Sequence, residues 1–527
     1  MKYYPDFYND VFGPVMQPGS SSHMAGPVRL GLLARALLGG TPADVRFVMD
    51  KDGSFAGTFG IMNEDNAMLA GVMGFGPEDE RISRVHELAG DQGLNIAYQF
   101  DTLTETSHLN AIRFCLHTAD GKAAELTGIS TGGGMVQVIR VNGFPVDFIG
   151  DTYVLLIFSV IDENIKKAIS HSTDGFVESG EAVSVSGTLH YFKFSERPDI
   201  NAVRSRLPDD GQAELLEPVL PVVTRRDRKP QLFRSVREWI DISKELGIGI
   251  AETAIRYEMD SSLWPRARVI ARMRSVKDIL LKEIRAFYDN PNAERSPFGR
   301  YDGDIWLDYE NNRSPICGPV FSRIVERVMG VNAKTPGTLI VPGPMGTGGG
   351  YLFSALYTVK EARGLDDDSL LRGLFVAAGI GAIAYTHTNP TGEVVGCAGE
   401  CGVCCAMTAT AITEMCGAGD RIDTAASLAL QAFIGLPCDP VPGGFDAPCF
   451  SRIIAAPSMA VIYADLAMAG VDAIIPYDEM LAAVDTLGHK MPPELLCTSK
   501  GGCCATPTAK KCESKFKEWM GVKNPNH

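Results

Sequence analysis

Cysteine placement constrains this chain more than any other feature. Eleven of its 13 cysteines fall between Cys397 and Cys512, a window of 116 residues in a chain of 527. The first 200 residues hold a single one, Cys115. The start, Met-Lys-Tyr-Tyr-Pro-Asp, has no basic region followed by an apolar core, so no secretory signal and a cytoplasmic location are expected. Thiols stay reduced there, and a dense group of them is more often metal-binding or catalytic than disulfide-bonded. With 45% hydrophobic and 21% charged residues the chain can bury a large core, which excludes a disordered or fibrous protein. A diffuse net charge of −15 argues against nucleic-acid or anionic-membrane partners. The most apolar run, Gly373 to Tyr385, is 13 residues long. That is too short to span a bilayer and predicts a buried helix.

Periodicity divides the chain. Val45–Met49, Met135–Val141 and Tyr153–Phe158 read as strands, with helical patterns at Val28–Leu38 and Ala67–Met73. These predict an α+β N-terminal domain over residues 1–200. Within it, 152–200 has the order strand, helix, strand, strand and reads as a small regulatory module, although too short for a complete one. A charged, proline-containing stretch, 201–231, is the linker candidate. Beyond it, 232–527 reads as a large all-α domain, with helices at 235–246, 263–288, 367–386, 402–416, 421–435 and 457–469.

Three cysteines stand at Gly/Pro-rich junctions between loop and helix: Gly396-Cys397-Ala398-Gly399, Leu436-Pro437-Cys438-Asp439-Pro440 and Ala447-Pro448-Cys449-Phe450. Free backbone N–H groups at such places can hydrogen-bond thiolate or sulfide. Their spacings of 41 and 11 residues suit neither a zinc ribbon nor a ferredoxin run. Three ligands from separate loops suit a [4Fe–4S] cluster with one iron left open for Lewis-acid chemistry. Cys404, Cys405 and Cys416, in an Ala/Met-rich helical pattern, read as packing residues. Cys401 is open to either reading.

The sequence resembles the iron–sulfur-dependent L-serine dehydratases. Gly396-Cys397-Ala398-Gly399-Glu400-Cys401-Gly402-Val403 is similar to that family's G-C-Q-x-E-V-G motif. Leu436 to Cys449 resembles its G-L-x-C-D-P-V-G-G…P-C segment, and Thr498-Ser499-Lys500-Gly501-Gly502 its closing T-S-x-G-G. Gly19-Ser20-Ser21-Ser22-His23-Met24-Ala25-Gly26-Pro27 is similar to the G-P-S-S-S-H-T-x-G-P signature of the family's β domain, and Ser130-Thr131-Gly132-Gly133-Gly134 to its S-I-G-G-G turn. The matches keep family order over nearly the whole chain.

The resemblance implies that Cys397, Cys438 and Cys449 ligate the cluster. It also implies that a cysteine near the C-terminus, Cys512 before Cys503 or Cys504, caps the fourth iron. Ser20, Ser21, Ser22, Gly133 and Thr347 would bind substrate, and His23 would orient its carboxylate or take the Cα proton. The expected reaction is dehydration and deamination of L-serine to pyruvate and ammonia, in a homodimer without nucleic-acid or membrane partners. The sequence departs from the family at Ala398, at Met24, at Ile61-Met62-Asn63, at Ser451, and at Gly343-Pro344-Met345-Gly346-Thr347-Gly348. These lie where polar groups would surround a small substrate. They prompt an alternative substrate such as threonine, cysteine or a small hydroxy acid. A non-catalytic iron–sulfur or zinc sensor is the competing class. His387 and His489 read as structural histidines before catalytic ones.

Overall fold

Six strands between residues 42 and 148, with helices inserted between the first two, pair as one sheet. Its strands are β1 (Pro42–Asp50), β2 (Asn95–Asp101), β3 (Ala111–Thr118), β4 (Ala123–Gly132), β5 (Met135–Val141) and β6 (Phe144–Phe148), in the order β2-β1-β3-β4-β5-β6. Only β1 and β2 run parallel. The computed structural model describes residues 4–60, 62–208, 211–293, 302–343, 348–441, 447–498 and 500–523. Phe47 on β1 stands between Tyr98 and Phe114 on its neighbours and stacks on the Tyr98 ring at 5.2 Å. Helices α1 (Ala25–Leu38) and α2 (Glu64–Met73) cross at Gly31 and Gly71. A Cβ on Gly71 would stand 2.2 Å from the Val28 carbonyl oxygen, so this close approach excludes any side chain.

The next elements are β7 (Tyr153–Phe158), α3 (Glu163–Ser170), β8 (Phe176–Ser184), β9 (Gly187–Phe194), α4 (Ile200–Arg204) and β10 (Gln212–Leu216). They form an antiparallel sheet in the order β10-β7-β9-β8. This is the β-α-β-β-α-β ferredoxin-like arrangement. Leu155, Ile157, Ile169, Phe192, Phe194, Val203 and Leu215 form its core. The small module is therefore complete, where the sequence suggested one cut short. The linker expectation for 201–231 is corrected for the same reason, because α4 and β10 lie inside that stretch and bury Val203 and Leu216.

The chain divides into one unit of Ser21–Arg228 and another of Met1–Ser20 with Lys229–His527. The first 20 residues thus join the helical unit rather than the α+β domain expected over 1–200. Hydrogen bonds explain this: the Phe7 N–H donates to the Glu258 carboxylate at 2.7 Å, and the Tyr257 hydroxyl to the Pro5 carbonyl at 2.7 Å.

The helical unit contains α5 (Val236–Leu246), α6 (Ile250–Ser262), α7 (Arg266–Asp289), α8 (Gly318–Asn332), α9 (Gly348–Arg363) and α10 (Asp367–His387). It continues with α11 (Gly392–Val395), α12 (Val403–Met415), α13 (Ile422–Gln431), α14 (Cys449–Met468), α15 (Tyr477–Gly488) and α16 (Pro507–Lys523). An α+β region followed by a helical one agrees with the fold class expected. The Ser235 hydroxyl accepts from the Glu238 N–H and starts α5, so Ser235→Ala should lower stability by about 1 kcal/mol in a denaturant titration. The apolar run 373–385 lies inside the 21-residue α10, which matches the expected helix over 367–386 to within one residue and is mostly buried. On length and composition alone, α10 and α14 are each sufficient to cross a membrane. Helix α14 starts at Cys449, eight residues before the expected start, because Pro457 is accommodated inside the helix.

Glu283 of α7 is fully buried beneath Gly350, and burial pushes its carboxyl well above the usual range. The folded state then holds a proton that the unfolded chain releases as pH rises through the ordinary glutamate value, so this group loses stability upward from there. Glu283→Gln should therefore melt higher than the parent at pH 8, by on the order of a few degrees, with the gap closing toward pH 4. Melting curves across that range test the sign.

Candidate metal centre

The cysteine-rich half brings three separate chain segments to one buried point. After the short α11, Gly396 adopts φ 68° and ψ −167°, and a Cβ there would lie 2.4 Å from the Leu436 carbonyl oxygen. Glycine alone lets the chain pass this close to the Cys438 segment. Cys397 follows, then a π-helical turn, Ala398–Gly402, that runs into α12. Such turns widen a helix locally and recur at functional sites. Cys438 lies in extended chain, not at a helix start as its flanks suggested. Its N–H donates to the Leu495 carbonyl at 2.9 Å, and its carbonyl accepts from the Cys497 N–H at 2.7 Å. Gly392 completes the cradle, since a Cβ there would meet the Cys438 sulfur at 2.7 Å and a Glu400 carboxyl oxygen at 3.1 Å.

The result is a group in which the ligand atoms of Cys397, Glu400 and Cys438 lie within 4.8 Å of one another. Cys401 and Cys438 donate thiol hydrogen bonds to Cys397 and hold it well below the ordinary thiol range, and the Arg452 guanidinium adds to the effect. Donating to Cys397 pushes the Cys401 and Cys438 thiols up in turn, with burial reinforcing the shift. Burial first, and the negative charge on Cys397 second, push the Glu400 carboxyl well above the usual range. The thiol of Cys397 thus stands out as the most acidic of the group, with the Arg452 guanidinium as its cation. Arg452, on the first turn of α14, donates to the Pro437 carbonyl at 2.7 Å and pairs with Asp439 at 3.0 Å.

Of the expected ligands, Cys397 and Cys438 meet here. Cys449 is half-buried as the first residue of α14, and it is not a member of the 4.8 Å group. Cys512 lies within α16, whereas Cys503 reaches the margin of the site through its N–H, which donates to Asp439 at 2.7 Å. The Cys504 thiol donates to the Pro440 carbonyl at 2.8 Å. Cys404 and Cys405 are fully buried packing residues, and burial pushes the Cys404 thiol up to about 12. Thr347 lies outside the described residues. The rings of His387 and His489 hydrogen-bond the carbonyls of Arg234 and Asp485. The sequence reading missed Arg452 and Cys497, which no short motif marks, and passed over Glu400 although it stands in the quoted motif.

The other unit carries its own polar group. Ser21, Ser22 and His23 lead into α1 and are buried, with His23 1% exposed rather than solvated. Nδ1 of His23 lies 3.0 Å from the Ser22 hydroxyl and Nε2 lies 3.1 Å from that of Ser54. No side chain caps α1, whose N-cap residue is Met24. Gly132, Gly133 and Gly134 all have positive φ and turn β4 into β5, placing the Ser130 hydroxyl to donate to the Ser22 carbonyl at 2.7 Å. The buried Arg29 of α1 donates to the Gly134 carbonyl. The turn that contains Gly133 therefore meets the Ser22 segment through Ser130 and α1 through Gly134. Ser20 ends the segment assigned to the helical unit. Ser54 was not foreseen.

Comparison with known proteins covers both parts of the chain. Residues 230–504 match the family described as serine dehydratase alpha chain. The "probable L-serine dehydratase, alpha chain" of Bacillus subtilis (strain 168) is 29% identical over 288 residues, 54% of this chain and 95% of the relative. The corresponding protein of Peptoniphilus asaccharolyticus is 28% identical over 291 residues, 54% of this chain and 98% of the relative. The "probable L-serine dehydratase, beta chain" of B. subtilis is 36% identical over 157 residues, 30% of this chain and 69% of the relative. The chain belongs to the iron–sulfur L-serine dehydratase family and joins alpha- and beta-chain counterparts in one polypeptide.

Proposed function

We propose that this chain is a [4Fe–4S]-dependent lyase that converts L-serine to pyruvate and ammonia in a reducing compartment. The buried group of Cys397, Cys438 and Glu400 beside Arg452 carries the reading. Its donors fit the cofactor: they are sulfur-rich and withdrawn from water, the Cys397 thiol is held well below its ordinary range, and the side-chain-free face of Gly392 adjoins Cys438. Cys397, Cys438 and Cys449 would hold the cluster. When bound, it supplies Lewis acidity that eases departure of a β-hydroxyl.

The chain's own groups do the rest. Arg452 offsets negative charge at the cysteine sulfurs, and the Glu400 carboxyl adds hydrogen-bonding capacity beside them. Ser21 and Ser22, with the Gly133 turn, bind the amino acid carboxylate. His23 takes the Cα proton at a ring nitrogen, and its two hydroxyl partners fix the ring orientation. Loss of the α-proton and the β-hydroxyl, with a proton to complete water, leaves an enamine. Tautomerisation and hydrolysis then release ammonia and pyruvate.

His23→Ala should keep its iron yet lose about 100-fold or more in kcat. Anaerobic assays on L-serine, L-threonine and L-cysteine test the substrate. Fastest pyruvate release from serine supports the reading, and faster turnover of another member of the panel transfers the same chemistry to that substrate. An iron-loaded chain inert toward all three is a sensor and not a lyase.

A further inference from the structure

We propose that Glu64 is a positioning residue for the reaction: its buried carboxyl ties down the turn that sets Ser54 against the His23 ring. The inference rests on the reading of His23 as the base that takes the Cα proton. The five-residue helix Ser54–Thr58 presents both of its first residues to that ring. The Ser54 hydroxyl lies 3.1 Å from Nε2, and the Phe55 ring meets the imidazole edge-on with centroids 5.1 Å apart. So short a helix is marginal by itself and needs ties from outside to hold its place. At its start the Ser54 N–H donates to the Leu109 carbonyl at 2.9 Å. At its end the Thr58 hydroxyl lies 3.0 Å from the Ser54 carbonyl oxygen and 2.8 Å from Oε1 of Glu64. The Met62 N–H donates to Oε2 at 3.0 Å. One carboxyl thus closes the loop between Thr58 and α2 and fixes the end of the helix.

Glu64 is fully buried, and no ion pair reaches it among the described residues. Burial first, and the neighbouring Asp65 second, push its carboxyl well above the usual range. In that neutral form its O–H donates to the Thr58 oxygen, which leaves the single Thr58 proton for the Ser54 carbonyl. Oε2 still accepts from Met62. Glutamine reproduces this pattern, with its amide N–H on Thr58 and its carbonyl on the Met62 N–H. Ser54 in turn holds Nε2 while Ser22 holds Nδ1, and together they fix the tautomer and the rotation of the ring.

The test measures kcat and KM for L-serine against pH on the anaerobic, iron-loaded full chain. The variants are Ser54→Ala, Thr58→Val, Glu64→Ala, Glu64→Gln, His23→Ala and the double variant Ser54→Ala/Glu64→Ala. A misplaced base costs rate more than binding, so Thr58→Val and Glu64→Ala should lose about 10-fold in kcat with KM held within about 2-fold. The limb of the kcat profile set by His23 should move the same way in Ser54→Ala, Thr58→Val and Glu64→Ala. Glu64→Gln should restore the parent rate and profile. In the double variant the second substitution should add less than about 2-fold, because both remove the same contact. A parent-like rate and profile in either Thr58→Val or Glu64→Ala overturn the proposal. So does a loss of about 10-fold in Glu64→Gln, or full additivity in the double variant. If Glu64→Ala fails to fold, Thr58→Val and Glu64→Gln decide. His23→Ala turning over at the parent rate refutes the underlying reading of His23 instead.

Discussion

Cys438→Ala protein purified without oxygen will emerge colourless, with iron and sulfide near background and no pyruvate formed from serine. Cys438 ties the site together: its sulfur lies with the ligand atoms of Cys397 and Glu400 within 4.8 Å, and its backbone pairs on both sides with the 495–497 segment. Removing its sulfur takes away one ligand and breaks up that group. The loss should exceed the roughly 10–100-fold cost of deleting an outer partner of a metal ligand. Cys404→Ala is the control. Its thiol is buried and its nearest polar contact is the Gly348 carbonyl at 3.8 Å, so the substitution should cost about 1 kcal/mol of packing and leave iron content unchanged. Equal iron loss in the two variants contradicts the ligand assignment.

Gly396→Val should be nearly as damaging, through the backbone alone. The position combines positive φ with a contact of 2.4 Å between any Cβ and the Leu436 carbonyl oxygen. Strained backbone costs on the order of 1–3 kcal/mol before the clash is added. The chain can relieve the clash only by moving the Cys397 turn off the Cys438 segment, which separates the two thiols. Gly435→Val provides the comparison, because it has φ 80° but no atom within 4 Å of its added Cβ. It should lower stability modestly and keep the cluster. Iron analysis with thermal melts on both variants distinguishes strain from disruption of the site.

How far the sequence could be read follows from how local each determinant is. Strands β5 and β7 were placed within their observed bounds, because an unbroken β-branched or aromatic run needs no partner to declare itself. Strand β2 was missed: Asn95-Ile-Ala-Tyr-Gln-Phe-Asp alternates exposed and half-buried residues at the sheet edge and offers no apolar run. Ser235 marked its helix start correctly, whereas Pro457 misled, since a proline that usually opens a helix here lies inside one. At the metal centre, Cys397 and Cys438 were legible from their Gly/Pro contexts and the family resemblance. Cys497 and Arg452 were not, because each reaches the site through pairings with residues distant in the chain. Cys497 also sits directly before the Thr-Ser-x-Gly-Gly element, where attention to the motif concealed its neighbour.

The central claim is that the buried thiol group holds a cluster on which serine dehydration depends. The most direct measurement follows pyruvate release from L-serine on anaerobic samples loaded with iron and sulfide to graded extents. The rate should rise in proportion to four-iron cluster content and vanish in the iron-free chain. Turnover by iron-free protein at the rate of the loaded protein, or a fully loaded chain that leaves serine untouched, contradicts it.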